Sequence, residues 1–230
     1  MSIGLGGMTL QQMRPVLAAW AQMDEHKAKV RRSERMILDA LRQSRQPFVA
    51  YSGGKDSTVM LHLVLQQVPG IMVHHVDWGP SIMPRNIAAE ILDNARHIGA
   101  TNVRVEECPE RSSWGAFYFG SVVPRYRREG FGLVFVGIRA DESLNRRRRI
   151  ARGESLGPIP ESWPLKDWSS RDVWAYIMSR NLPYGSPYDK YVPMLGLDLA
   201  RFVSFFDPEM QRYGASSVDA ALMWRYKHRQ

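Results

Sequence analysis

The stretch FVAYSGGKDSTVMLHLV, residues 48–64, decides how the rest of the chain is read. Two apolar runs flank a short polar turn, SGGKDS. The run PFVAYS (47–52) is short and apolar and follows a helical segment, which predicts a buried strand. The run DSTVMLHLVLQQV (56–68) predicts a helix stopped by Pro69-Gly70. A strand, a glycine-rich turn and a helix start together make an anion cradle. Gly53 and Gly54 permit positive φ and let the main chain approach a ligand. Successive N–H groups in such a turn form a nest, and the helix start points its partial positive end at the same spot. Ser52, Ser57 and Thr58 add hydroxyl donors, and Lys55 adds a full charge. Asp56 is the odd member, because a carboxylate repels phosphate; it either caps the helix or shares a Mg²⁺ ion with the ligand. The turn is not the common P-loop, G-x-x-x-x-G-K-[ST]: five positions before Gly54 stands Val49, and Lys55 is followed by Asp56.

Outward from the turn, strand and helix patterns alternate. IMVHHVDW (71–78), NVRVEEC (102–108) and LVFVGIR (133–139) read as further strands, and PRNIAAEILDNARHIG (84–99) reads as a helix with Pro84 at its start and Gly99 at its end. Residues 9–45 read as helix, with Pro15 in a first turn or at a break. Residues 110–130 are mixed. In WPLKDWSSRDVWAYIMSRNLPY (163–184), Ser169 with Asp172 three residues on forms a capping-box pattern ahead of an apolar face of Val173, Trp174 and Ile177. From Pro183 onward regularity weakens. The alternation predicts an α/β fold with a parallel sheet covered on both faces. The simplest division is one domain: N-terminal helices over 9–45, a core over 46–190 and an irregular C-terminal extension over 191–230.

Composition narrows the setting. The chain has 230 residues, 44% hydrophobic and 23% charged, which is ordinary for a globular domain. No apolar run approaches the ~20 residues needed to span a bilayer, and the N-terminal stretch lacks the basic-then-apolar pattern of a signal peptide, so a cytoplasmic location without a membrane partner is expected. The single cysteine, Cys108, excludes an intramolecular disulfide and a cysteine-based zinc site. A net charge of +8 suits nucleic acid or polyanionic small substrates, and much of it lies in NRRRRIAR (145–152). That run reads equally as a solvated basic surface or as an anion contact. Trp163, Trp168 and Trp174 read as core, and Asp167 as the anchor of a turn.

Four stretches in order carry a family resemblance. YSGGKDSTVMLHLV resembles the PP-loop, S-G-G-x-D-S, of the ATP pyrophosphatases. VHHVDWG (73–79) resembles a strand ending in Asp-Thr-Gly, with Trp78 in place of the threonine. VGIRADESLNRRR (136–148) resembles G-x-R-x-D-E-S-x-x-R. WPLKDWSSRDVWAYIMSRNLPYGSPYD (163–189) resembles the P-[LI]-x-D-W-[ST]-x-x-D-[VI]-W helix start and the loop after it. Within that class the chain is similar to the phosphoadenylyl-sulfate (PAPS) reductase family, which includes the small subunit of sulfate adenylyltransferase.

The resemblance implies a Rossmann-like adenine nucleotide α-hydrolase fold, with ATP and Mg²⁺ as cofactors and cleavage of ATP between its α and β phosphates. It implies nucleotide contacts from Ser52, Gly53, Gly54, Lys55, Asp56, Ser57, Thr58, Asp77 and Arg139, metal contacts from Asp56 and Asp77, and catalytic roles for Lys55, Arg139 and Arg146. Asp77 also reads as a ribose ligand or a structural strand-end residue, and Asp141 and Glu142 read as partners of Arg139 and Arg146. The acceptor of the adenylyl group stays open between a sulfate-like anion and a nucleic-acid group. A DNA or protein partner and a homodimer stay open too. Two other readings stand beside this one: a non-catalytic, nucleotide-bound regulatory or DNA-associated protein, and a reductase that borrows a partner's thiol. The tail lacks the Glu-Cys-Gly-Leu-His segment of the family's reductases, which speaks against thiol chemistry within the chain.

Overall fold

The computed structural model describes residues 7–80, 83–109 and 117–200. Two helices open it, α1 (Leu10–Gln22) and α2 (Asp24–Gln43). The alternating core follows: β1 (Pro47–Ala50), α3 (Lys55–Leu65), β2 (Met72–Asp77), α4 (Arg85–Ile98) and β3 (Val103–Glu107). A π-helical turn at Tyr118–Val122 leads into α5 (Val123–Arg128), β4 (Leu133–Phe135), a 3-10 turn at Ala140–Glu142, and α6 (Leu144–Arg152). β5 (Glu161–Ser162), α7 (Ser170–Ser179) and α8 (Pro187–Leu199) complete the described chain.

The sheet order is β3-β2-β1-β4-β5, and every pairing is parallel. β1 is central: Phe48 lies opposite Met72 on one side and Val134 on the other. Alternation along the strands divides the core. Phe48, Met72 and Val134 pack with Val122, Val123 and Tyr126 on one face. Val49, Val73 and Phe135 pack with α3, α4 and α7 on the other. A sheet covered on both faces buries successive positions, which is why PFVA reads as a continuous apolar run and why MVHHV is buried at every position, His74 and His75 included.

The expected α/β architecture and its strands are present, with differences at the edges. The helical stretch over 9–45 breaks at Met23, whose extended backbone (ψ 141°) separates α1 from α2, while Pro15 sits inside α1. The strand expected over 133–139 stops at Phe135, because the chain must peel away there to reach the site described below. α6 and α8 were not expected as helices. α6 is so basic that no apolar stripe marks it, and α8 carries Pro193 and a kink at Gly196 (φ 78°) that break its periodicity. β5 is only two residues long, too short for any pattern. The C-terminal extension expected over 191–230 is helical to Leu199, and beyond Ala200 it lies outside the described residues, as does much of the mixed segment over 110–130.

One buried carboxylate ties the N-terminal helices to the core. Ser169 and Asp172 form the expected capping box at the start of α7. Asp172 is 1% exposed and also accepts from Trp20 Nε1 at 2.9 Å and from Lys29 Nζ at 2.8 Å. Burial alone would raise its pKa, but hydrogen bonds from His26, Lys29, Trp20 and the Ser169 amide hold it far below the usual carboxylate range. α1, α2 and α7 are thereby fixed together.

His74, on β2 beneath the Tyr126 hydroxyl (2.9 Å), gives the fold a pH dependence. Burial, followed by the charges of His75, Arg104 and Arg125, pushes its pKa from 6.5 down to about 3. The unfolded chain therefore binds a proton that the folded chain refuses. Stability from this group is complete above 6.5 and is lost as pH falls towards 3. Urea unfolding between pH 6 and pH 4 is expected to lose about 1.4 kcal/mol per pH unit to His74. His74→Leu is expected to reduce that slope by one proton's worth, and an unchanged slope would refute the assignment.

Candidate functional site

The chain runs from β1 outward through β2 to β3, then returns across β1 to β4 and β5. The order reverses between β1 and β4, so a crevice opens beyond their carboxyl ends, where open parallel sheets bind ligands. β1 delivers the turn Ser52–Gly54 to that crevice, and β4 delivers Gly137 and Arg139.

The turn is held by its own hydroxyls. Gly53 adopts φ +80°, and a Cβ there would lie 2.6 Å from Ile91 Cγ1, so both conformation and the close passage of α4 require glycine. The Ser52 amide donates to Ser57 Oγ at 3.2 Å, and the two serine hydroxyls lie 3.1 Å apart. The Gly54 amide reaches Ser52 Oγ at 3.4 Å, and Ser57 Oγ donates to the Gly54 carbonyl at 2.9 Å. The Lys55 amide, first of α3, donates to the Tyr188 hydroxyl at 3.0 Å. Neutral, rotatable hydroxyls thus satisfy N–H groups that would otherwise face an anion. A phosphate oxygen can replace them with charge-assisted bonds.

Arg139 closes the crevice from the β4 side. It is 2% exposed; its Nε donates to Asp56 Oδ1 at 2.5 Å, and its Nη1 approaches Asp141 Oδ2 and the Trp168 carbonyl, both at 3.4 Å. The chain leaving β4 can approach the start of α3 this closely because residue 137 is glycine. A Cβ there would stand 2.7 Å from the Asp56 carbonyl oxygen and 3.0 Å from the Ser57 nitrogen, both backbone atoms that cannot swing aside.

The other expected residues divide. Lys55 is buried at 2% exposure, with Nζ 3.2 Å from the Ala200 carbonyl and 3.3 Å from Asp56 Oδ2. Burial pushes its ammonium below the usual range, opposed chiefly by Asp56. Asp56 itself would be raised by burial, but Arg139 and Lys55 leave it at about 2. Thr58 is fully buried beside Tyr51. Asp77 ends β2 and is gripped by Arg85 through two bonds of 2.8 Å, while it accepts from the Gly79 amide. Arg146 turns to Glu142 and Arg139 to Asp141, the partners expected for them. Of the tryptophans, Trp168 and Trp174 are fully buried and Trp163 nearly so. Asp167 is exposed and pairs with Arg32.

The fit of a metal follows from these contacts. Each oxygen of Asp56 and of Asp77 already accepts from a cation, and no group of three histidine, cysteine or acidic side chains that could hold a metal occurs among the described residues. The residues present do not form a metal cage of their own, and a Mg²⁺ would have to displace or share these cations.

Sequence reading alone missed Tyr188, whose hydroxyl lies 133 positions from the amide it holds. Its ring also lies under the Lys55 ammonium, 5.8 Å away. The quoted loop LPYGSPYD contained it, but only the fold brings α8 to the start of α3.

The family model of the phosphoadenosine phosphosulfate reductase domain matches residues 46–198, which include the turn, Arg139 and Tyr188. The chain belongs to that family. Among its curated relatives, sulfate adenylyltransferase subunit 2 of Shigella dysenteriae is 27% identical over 188 residues, covering 64% of this chain and 61% of that one. An uncharacterized protein of Methanocaldococcus jannaschii is 31% identical over 167 residues, covering 64% of this chain and 34% of that one. The chain thus spans less than two thirds of either relative. The solved PAPS reductase of Candida auris aligns at a TM-score of 0.49 and 13% identity, over 80% of this chain and 93% of that one. For this member of the PAPS reductase domain family, the fold rests on its own sheet order and register.

Gly137→Ala tests the strand approach. The added methyl must push β4 from the start of α3, which is expected to cost about 1–3 kcal/mol in urea unfolding. Gly70→Ala, with nothing within 4 Å of its Cβ, is expected to stay within about 0.5 kcal/mol of the parent.

Proposed function

We propose that this chain binds ATP with its β and γ phosphates over the SGGKDS turn, cleaves the bond between the α-phosphorus and the bridging oxygen, and passes the adenylyl group to an acceptor oxygen. The observation that carries this reading is the meeting of a glycine turn, a helix N-terminus and a buried arginine at the switch point of a parallel sheet. As the α-phosphorus bond breaks, charge grows on the leaving pyrophosphate. Once phosphate oxygens have replaced the serine and Tyr188 hydroxyls on them, the amides of the turn and the α3 dipole face that charge as it grows, which is electrostatic catalysis by positioning. Arg139, oriented by Asp56, faces the group being transferred. Mg²⁺ would enter with ATP as part of the substrate, and no step is assigned to it. The acceptor attacks directly, so no protein nucleophile is required.

The relatives named sulfate adenylyltransferase subunit 2 support adenylyl transfer, and they favour a sulfate-like anion over a nucleic-acid group as acceptor. The word subunit supports a protein partner. No helix among the described residues is long and apolar enough to cross a membrane, which agrees with a cytoplasmic setting. Thiol chemistry is less well served: Cys108 is the sole cysteine, and burial raises its pKa, which disfavours the nucleophilic thiolate.

Two measurements check the reading. With ATP, Mg²⁺ and sulfate, pyrophosphate is expected as the product, and Arg139→Ala is expected to slow its release about 10²–10³-fold. Orthophosphate alone, or no turnover at all with ATP bound, would return the chain to a regulatory role. Tyr188→Phe strips the Lys55 amide of its acceptor. It is expected to lower the stability of the free protein by about 1–3 kcal/mol and to tighten pyrophosphate binding, read by calorimetry. Unchanged affinity would show that the hydroxyl does not hold a phosphate position.

A further inference from the structure

The arginine run is not one surface. Arg146 and Arg149, three apart on α6, turn inward to Glu142 and Glu161. Arg147 and Arg148 are exposed, and their side chains have no ion pair or hydrogen bond among the described residues. Arg147 does, however, line a cleft. The cleft measures ≈ 290 Å³ and is bordered by Lys29 of α2, Asp141, Arg147 of α6, and Lys166, Asp167 and Ser169 of the loop before α7. Arg139 stands between this cleft and the turn: its Nε holds Asp56, and its Nη1 approaches Asp141 and the Trp168 carbonyl, both on the cleft wall.

The charges in the cleft do not cancel. Asp141 is paired with Arg139 at 3.4 Å, and Asp167 with Arg32 at 3.4 Å. Lys29 is committed to Asp172 at 2.8 Å and Glu25 at 3.2 Å. Arg147 and Lys166 remain, two cations from different elements on one concavity, with no carboxylate partner among the described residues. Like charges gathered in a concave site repel unless an anion joins them, and an arginine fork with a lysine point charge suits a tetrahedral oxyanion. The volume lies just below the range of small-molecule sites, which fits one oxyanion group rather than a whole nucleotide.

We propose that this cleft is a second anion site, in which Arg147 and Lys166 bind a phosphate or sulfate group, either free or as one phosphate of a nucleic-acid backbone. The site is independent of what the SGGKDS turn binds.

The test uses the full chain, its Ser57→Ala variant and an Arg147→Ala/Lys166→Ala double variant, with Arg147→Gln as a milder substitution should the double variant fold poorly. Sodium sulfate is titrated at constant ionic strength and followed by amide NMR. Saturable shifts at residues 166–169 are expected in the parent and in Ser57→Ala, with affinity about tenfold weaker once the cations are removed. A single-stranded oligonucleotide, followed by fluorescence anisotropy across salt concentrations, separates the two sources. A backbone phosphate predicts a salt slope lower by about 1 for each cation lost. A free anion predicts oligonucleotide binding that does not change while sulfate binding weakens. Shifts confined to residues 52–57, or both probes bound as tightly by the substituted proteins as by the parent, would overturn the site.

Discussion

The ion pair between Asp56 and Arg139 is the contact on which the site depends. It joins the first turn of α3 to the exit of β4, across the point where the strand order reverses. Arg139 is almost wholly buried and Asp56 is 14% exposed, so neither charge can rely on water. Removing one partner of such a pair leaves the other uncompensated, at a cost of about 3–5 kcal/mol. Its worth here lies in geometry as much as in energy: a guanidinium bonded through Nε to one carboxylate oxygen has little freedom to rotate.

Asp56 first looks like a flaw in a phosphate cradle, since it brings negative charge to where an anion should bind. The structure gives it a different place. Its carboxylate meets Arg139 and Lys55, and their charges keep it ionised. Lys55 likewise looks from sequence like a phosphate ligand, but its side chain runs back to Asp56 and the Ala200 carbonyl. The turn itself is therefore built from backbone amides and hydroxyls, beside buried charges of alternating sign. Those charges have a cost in desolvation, and the compensation is a turn whose orientation is fixed before any ligand arrives.

Much of the fold was legible because its signals are local. PFVA is a continuous apolar run, and MVHHV an apolar run interrupted only by His74 and His75, because a parallel strand is buried on both faces, and Pro84 and Gly99 mark the bounds of α4 through their own backbone preferences. The capping box of Ser169 and Asp172 could be read from two residues three apart. What escaped was either too short, like β5, or too polar, like α6, for periodicity to register. The arginine run shows the limit most plainly. Four identical side chains in a row carry no sequence signal for facing in or out, yet the 3.6-residue helical period sends Arg146 and Arg149 to carboxylates and Arg147 and Arg148 to the surface.

By itself the sequence determined the strand–turn–helix unit, the parallel sheet and the family of the chain, because each follows from spacing along a few neighbouring residues. Tertiary structure alone decided which charges meet. Gly137 lets β4 touch the start of α3, Tyr188 reaches an amide 133 residues away, and Asp77 is taken by Arg85 of the following helix. The physical reason is range. Backbone propensity and hydrophobic period act over a turn or two, whereas ion pairs and buried hydrogen bonds are chosen by whatever the packed sheet brings within 3 or 4 Å.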